Sequence, residues 1–223
     1  MKNSKTTIKV VNFIIKQIAN EHWLPGMRVI EKEIANSTGA SRSTIRYAIS
    51  TLIGQGILDS TSHGVIVPNL DDKALQDLFE FRTIIEVAAV GLVCDRASDD
   101  ELKNIMACVA KMEKALEIGA LIDFMKSDEE FHQLLANASG NDRIIQIMPV
   151  FRLQTVKYRS RHMLLAGSPS SRLKEHKLIA KMLLSRTKSK AMEAMANHLK
   201  KTSEAILSII KDDTHSLRPS IRV

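Results

Sequence analysis

Apolar residues return at helical intervals along most of the chain. Val10, Ile14, Ile18 and Trp23 form a first stripe, which predicts a helix over about 4–23. Pro25-Gly26 breaks it. Ile34 and Ala35 mark a short helix near 31–38, and Ile45, Ala48, Ile49 and Leu52 mark a third near 41–55. The rhythm then changes. Ile57 and Leu58 lead into a polar stretch from Ser60 to Gly64, followed by Val65, Ile66 and Val67, the pattern of a small hairpin. Pro68-Asn69 ends it. From Asp71 the helical period resumes, interrupted at Ser98, Gly119, Ser139-Gly140, Gly167-Ser168-Pro169 and Thr187. These breaks predict helices near 71–96, 98–118, 120–138, 141–165, 169–186 and 188–211. The polar stretch after Lys211, with Pro219 in it, reads as a loose tail.

Composition supports a helical, folded chain. Apolar residues make up 44%, and the 223 residues allow two modest domains with separate cores. With only 9 Gly and 5 Pro, helix breakers are scarce. Cys94 and Cys108 form no CxxC pair and are too few for a disulfide framework, so reduced thiols and a cytoplasmic location are expected. The N-terminus lacks the apolar core of a signal peptide, and no uncharged apolar run reaches about 18 residues, so no membrane partner is expected. The net charge of +7 suits a polyanion, although excess lysine also serves solubility. Residues 1–68 hold eight Lys/Arg against four Asp/Glu, and 69–223 hold 24 against 21. The smaller segment is the more densely positive.

That segment carries a helix-turn-helix pattern. Ala35 is small enough for two helices to cross closely, Gly39 suits a left-handed turn, and Ser41 can cap the next helix. With Ile45, Ala48, Ile49 and Leu52 inward, Arg42, Ser43, Thr44, Arg46 and Tyr47 are left near the outward N-terminal end. Such a helix presents its first turns to the major groove, where arginine can donate two bonds to guanine and hydroxyls can reach phosphate or bases. The alternative is an ordinary helix pair with a solvated charged face. The hairpin just downstream weighs against it, because it supplies a wing.

The larger segment has polar residues on apolar faces. Asp128 and His132 lie one turn apart on the stripe of Leu121, Phe124, Met125, Phe131 and Leu135. His176 falls among Leu173, Ile179, Ala180 and Leu183, and His198 among Ala191, Ala194, Met195, Ala205, Ile206 and Ile209. A lone inward histidine is commonly a hydrogen-bonded core residue. Four polar groups on three helices need more partners than a core readily gives. One divalent metal would satisfy all four, and neutral imidazole with carboxylate suits zinc, nickel or manganese. Arg82 and Glu86 share the inward face of the helix at 71–96. They read either as an internal i, i+4 salt bridge or as a site where Arg82 holds an effector carboxylate.

The residues Pro25-Gly26, Glu31, Ile34-Ala35, Gly39, Ser41-Arg42, Ile45-Arg46, Ala48-Ile49 and Gly56-Ile57-Leu58 resemble the DNA-binding domain of the GntR family of bacterial transcription regulators. The resemblance covers about residues 8–68. Its FadR subfamily implies DNA contacts from Lys32, Arg42, Ser43, Thr44, Arg46, His63 and Gly64. Tyr47 departs from the acidic residue usual at its position. Segment 71–211 resembles the FCD effector domain through Asp128-Glu-Glu-Phe131-His132, Ser139-Gly140-Asn141, Glu175-His176 and His198. That resemblance implies Asp128, His132, His176 and His198 as metal ligands, and Arg82 with Asn141 as effector contacts. Asn141 can equally start the next helix. The helix count is similar to the VanR-like branch.

The expected fold is mainly α. A winged helix-turn-helix DNA-binding domain occupies 1–68 and a linker 69–72. An antiparallel all-α bundle of six helices, or seven, follows at 73–211, and a flexible tail at 212–223. The function expected is a ligand-responsive transcription regulator, a repressor by family habit. Its cofactor is a divalent metal, zinc first with nickel or manganese as alternatives. Its partners are a palindromic double-stranded operator, a small organic acid and a second copy of itself. A metal-dependent hydrolase and an effector-independent DNA binder with a structural metal are the rivals. The hydrolase lacks an evident general base and leaves the N-terminal motif without a purpose. His22, His162 and His215 read as solvated, and so does the basic group Arg152, Lys157, Arg159, Arg161 and Arg172, with an anion pocket as its alternative.

Overall fold

The structure is a computed structural model that describes residues 2–155 and 169–216, with side chains for 5–155 and 169–208. The described residues form two compact units, 2–71 with 152–155 and 72–151 with 169–216. The two units divide between Asp71 and Asp72.

The first unit contains α1 (Lys2–Ala19), α2 (Glu31–Thr38), α3 (Arg42–Gly54), β1 (Asp59–Thr61) and β2 (Gly64–Ile66). Helix α1 stops four residues before its expected end, and Glu21 takes a left-handed conformation. Trp23 is nevertheless buried, because the chain folds back and packs its ring edge-on against Phe13. Gly39 has φ +70°, and its N–H closes α2 on the Ala35 carbonyl. That conformation burdens any residue with a Cβ. Ser41 then caps α3 by accepting from the Thr44 N–H. Val10, Ile14, Ile34, Ile45, Ala48, Leu52 and Leu58 fill the core between these helices. Each large aliphatic side chain buried there contributes about 1.5–3 kcal/mol. Strands β1 and β2 pair antiparallel, with Asp59 opposite Ile66 and Thr61 opposite Gly64. Val29 donates to the Val65 carbonyl, which ties the wing to the segment entering α2.

The second unit contains α4 (Asp72–Arg96), α5 (Asp99–Glu117), α6 (Leu121–Ala138), most of α7 (Asp142–Gln154), α8 (Pro169–Leu184) and α9 (Lys188–Ser216). Helix α5 packs on α6 and α8, while α4 packs on α6 and α9. Val90, Ile105, Met112, Phe124, Phe131, Ile179 and Met195 belong to the shared core. Ser98 and Glu101 form a capping box that starts α5. The expected helix over 141–165 is described to Gln154, and 156–165 lie outside the described residues. Because they do, the six-or-seven helix count stays an expectation. Helix α9 runs to Ser216, five residues past its expected end. No Gly or Pro interrupts the sequence before Pro219, so nothing local stops it earlier. Among the described residues no helix is long and apolar enough to cross a membrane.

Candidate nucleic-acid interface and metal centre

Helix α3 carries Arg42, Ser43, Arg46 and Tyr47 on its exposed side. Thr44 does not join them. It is buried, and its hydroxyl lies 2.9 Å from the Ser41 hydroxyl. The cause is angular: Thr44, Ala48 and Leu52 are successive i, i+4 neighbours on the inward stripe. The expectation of Thr44 at the surface is therefore corrected. Arg46 Nε donates to Glu31 Oε1 at 3.0 Å, and the Arg46 side chain stays 71% exposed. Exposed pairs of this kind are weak, so the guanidinium is oriented without being sequestered. Lys32 is exposed on α2. His63 is exposed at the hairpin tip, and its N–H donates to Thr61 Oγ1. Gly64 has φ +114°, and a Cβ there would lie 3.0 Å from the Arg28 guanidinium. The wing thus brings its backbone close to Arg28 where a side chain would interfere.

In the helical unit, His132, His176 and His198 meet in the interior. One ring nitrogen from each lies within 4.8 Å of the others. Helices α6, α8 and α9 supply one each, and all three are buried. Every Nδ1 faces an acceptor. His132 Nδ1 meets Glu86 Oε2, His176 Nδ1 is 2.8 Å from the Arg172 carbonyl, and His198 Nδ1 is 2.8 Å from Glu175 Oε2. A carbonyl or ionised carboxylate has no proton to give, so each Nδ1 is the donor. In a neutral ring so held, the lone pair is on Nε2.

Burial, reinforced by His198 and partly offset by Asp128, pushes His176 down to about 3, so it is neutral at pH 7. Burial alone would raise the Glu86 carboxyl, but Arg82 and His132 hold it well below its usual range. Glu175 is likewise held low by His198 and Lys201 against burial. Asp128 Oδ1 lies 3.3 Å from His176 Nε2. His176 Nε2 has no hydrogen-bond partner among the described residues. Two acceptor atoms therefore face each other in a buried place, an arrangement that a cation stabilises. Acceptors outside the cluster engage each Nδ1–H, the outer-shell arrangement that orients metal-binding imidazoles. The residues fit a divalent ion.

Arg82 is buried, and its Nε donates to Glu86 Oε1 at 2.6 Å. The internal salt bridge is therefore present. Its Nη1 is buried without a hydrogen-bond partner among the described residues. Asn141 instead starts α7: its Oδ1 accepts from the N–H groups of Arg143 and Ile144. No described contact joins it to Arg82 or the histidines. Arg152 and Arg172 are buried, which corrects the solvated reading for those two; Lys157, Arg159 and Arg161 lie outside the described residues. Arg172 Nη1 is 3.8 Å from Asp128 Oδ1. It precedes His176 by one turn, which was the available signal that it faces inward. The link from Glu86 to His132 spans 46 residues and leaves no trace in either helix's pattern.

A winged helix with an exposed basic recognition helix, joined in one chain to an all-helical unit with a polar cluster in its apolar core, defines a DNA-binding transcription regulator. The chain belongs to the GntR family: residues 6–65 match the bacterial regulatory proteins of the gntR family, and 77–201 match the FCD domain. It is 30% identical over 193 residues to the Nta operon transcriptional regulator of Aminobacter aminovorans, covering 85% of this chain and 89% of that protein. It is 24% identical over 193 residues to the HTH-type transcriptional repressor RspR of Escherichia coli, covering 85% and 84%. The fold is similar to that of E. coli McbR/YncC, with a TM-score of 0.78 at 19% identity over 92% of this chain and 98% of that one. Family membership places the chain among regulators rather than hydrolases.

Proposed function

We propose that the chain is a homodimeric repressor whose FCD unit binds one divalent metal, zinc first, through Asp128, His132, His176 and His198, and responds to a small carboxylate. The observation that carries this reading is the convergence of three buried imidazoles, each with Nδ1 already engaged. The Asp128 oxygen next to His176 Nε2 supports a fourth ligand. Bound there, the ion offers a Lewis-acid attachment point for an oxygen donor. The buried Nη1 of Arg82, without a hydrogen-bond partner among the described residues, supports the acidic class of effector, because a guanidinium N–H is matched by a carboxylate oxygen. Repression is supported by the repressor named among the relatives.

On the DNA side, Arg42 and Arg46 read base edges. Lys32, Ser43 and the His63-Gly64 wing tip hold the backbone or groove. A two-fold dimer matches a palindromic operator. The effector acts by binding more tightly to the dimer arrangement whose recognition helices no longer match both half-sites.

The test is an operator-binding titration against a panel of hydroxy acids, sugar acids and amino acids, with zinc-loaded and chelator-stripped protein. Release of operator by an acid, only when metal is present, is the expected outcome. Operator binding indifferent to every acid and to the metal would instead favour the effector-independent DNA binder.

A further inference from the structure

Glu86 sits on α4 one turn after Arg82, and its side chain is 2% exposed. Both of its oxygens are engaged. Oε1 accepts from Arg82 Nε, and Oε2 accepts from Nδ1 of His132 on α6. We propose that Glu86 is a positioning residue for metal binding: it holds the His132 proton on Nδ1, so that Nε2 keeps the lone pair a metal ion requires. This rests on the metal-dependent reading above and adds a residue to it.

The chemistry follows from the partners. A neutral imidazole has two tautomers of similar intrinsic stability, and only one of them presents Nε2 as a ligand. A buried carboxylate facing Nδ1 selects that one, because it can only accept. Arg82 fixes the carboxylate in turn by occupying its other oxygen and compensating its charge. Glu175 faces His198 in the same way, but its other oxygen goes to the exposed Lys201. Glu86 is the deeper anchor of the two. An ion pair that merely filled the core would leave the His132 tautomer indifferent to the loss of the carboxylate.

Glu86→Gln keeps the shape and removes that selectivity. If its amide nitrogen faces Nδ1, the ring must carry its proton on Nε2. If its amide oxygen faces Nδ1, the amide N–H groups meet Arg82 Nε–H, donor against donor. The test uses the full-length chain, stripped of metal. Nitrogen-15 shifts and nitrogen–proton correlations of the His132 ring report the tautomer directly, and competition with a chromophoric chelator reports the zinc affinity. Wild-type protein should show His132 with its proton on Nδ1. Glu86→Gln should move the proton towards Nε2 and weaken zinc by roughly 10–100-fold.

A wild-type His132 protonated on Nε2 would overturn the proposal, even if the variant does not fold. A folded Glu86→Gln with unchanged tautomer and unchanged zinc affinity would overturn it too. If wild-type protein shows the Nδ1 proton but binds no zinc, the metal-dependent reading falls, and with it the metal-binding role of Glu86, while its hold on the His132 tautomer stands.

Discussion

The two units of the chain handle polar residues in opposite ways. In the winged helix, the residues proposed to meet a partner lie outside an apolar core: Arg42, Ser43 and Arg46 are exposed on α3, with Ile45, Ile49 and Leu52 beneath them. In the helical unit they lie inside, where Arg82, Glu86, Asp128, His132, His176 and His198 are all buried. Function is therefore separable from stability in the first unit and entangled with it in the second. An exposed arginine can be removed at little cost to the fold. A buried polar group cannot be removed or left unpartnered so lightly.

The largest expected effect tests the entangled side. His132→Ala together with His176→Ala should abolish stoichiometric metal, measured by elemental analysis of the purified protein. It should also remove the stabilisation that metal confers, about 2.7 kcal/mol when free metal is roughly 100 times its dissociation constant. A melting temperature that responds to zinc as strongly as wild type would break the comparison. Next come the exposed arginines. Arg42→Ala or Arg46→Ala should each cost about 1–3 kcal/mol of discrimination for the preferred operator, with the melting temperature unmoved. Discrimination retained in both variants would remove them from the reading face.

A smaller effect sharpens the contrast within one helix. Thr44→Val removes a buried hydroxyl bonded to the cap, and should cost about 0.5–1.5 kcal/mol of stability, read by chemical denaturation. Ser43→Ala, one residue away and exposed, should leave stability unchanged and weaken DNA binding instead. The smallest effect belongs to Lys32→Ala. If Lys32 meets phosphate, binding should weaken alike for all sequences, and the slope of log affinity against log salt should flatten by about 1.

The two units also differed in how much their sequence disclosed. Turn and cap chemistry was readable in the first: Gly39 takes the left-handed turn and Ser41 caps α3, because both depend on neighbours a few residues away. Thr44 was misplaced because nearness to the helix start outweighed its angular position above Ala48 and Leu52. The same geometry hid Arg172, which reads as part of a basic run yet shares the inward stripe with Leu173 and His176. In the second unit, periodicity showed that the three histidines point inward, and the structure brings them together. What holds each Nδ1 was not visible. Glu86 and His132 are on different helices, and Glu175 reaches across to α9, so the pairing exists only after packing. Asn141 was legible both ways, and the cap of α7 takes its side-chain oxygen.

The central claim is that the buried histidine cluster exists to hold an ion. Native mass spectrometry of the full-length chain, purified without chelator or added metal, tests it most directly. The predicted spectrum shows one divalent ion per chain, zinc first, in wild-type protein and none in the His132→Ala, His176→Ala double variant. Folded wild-type chains at the bare polypeptide mass, which remain so after zinc is supplied, would contradict it.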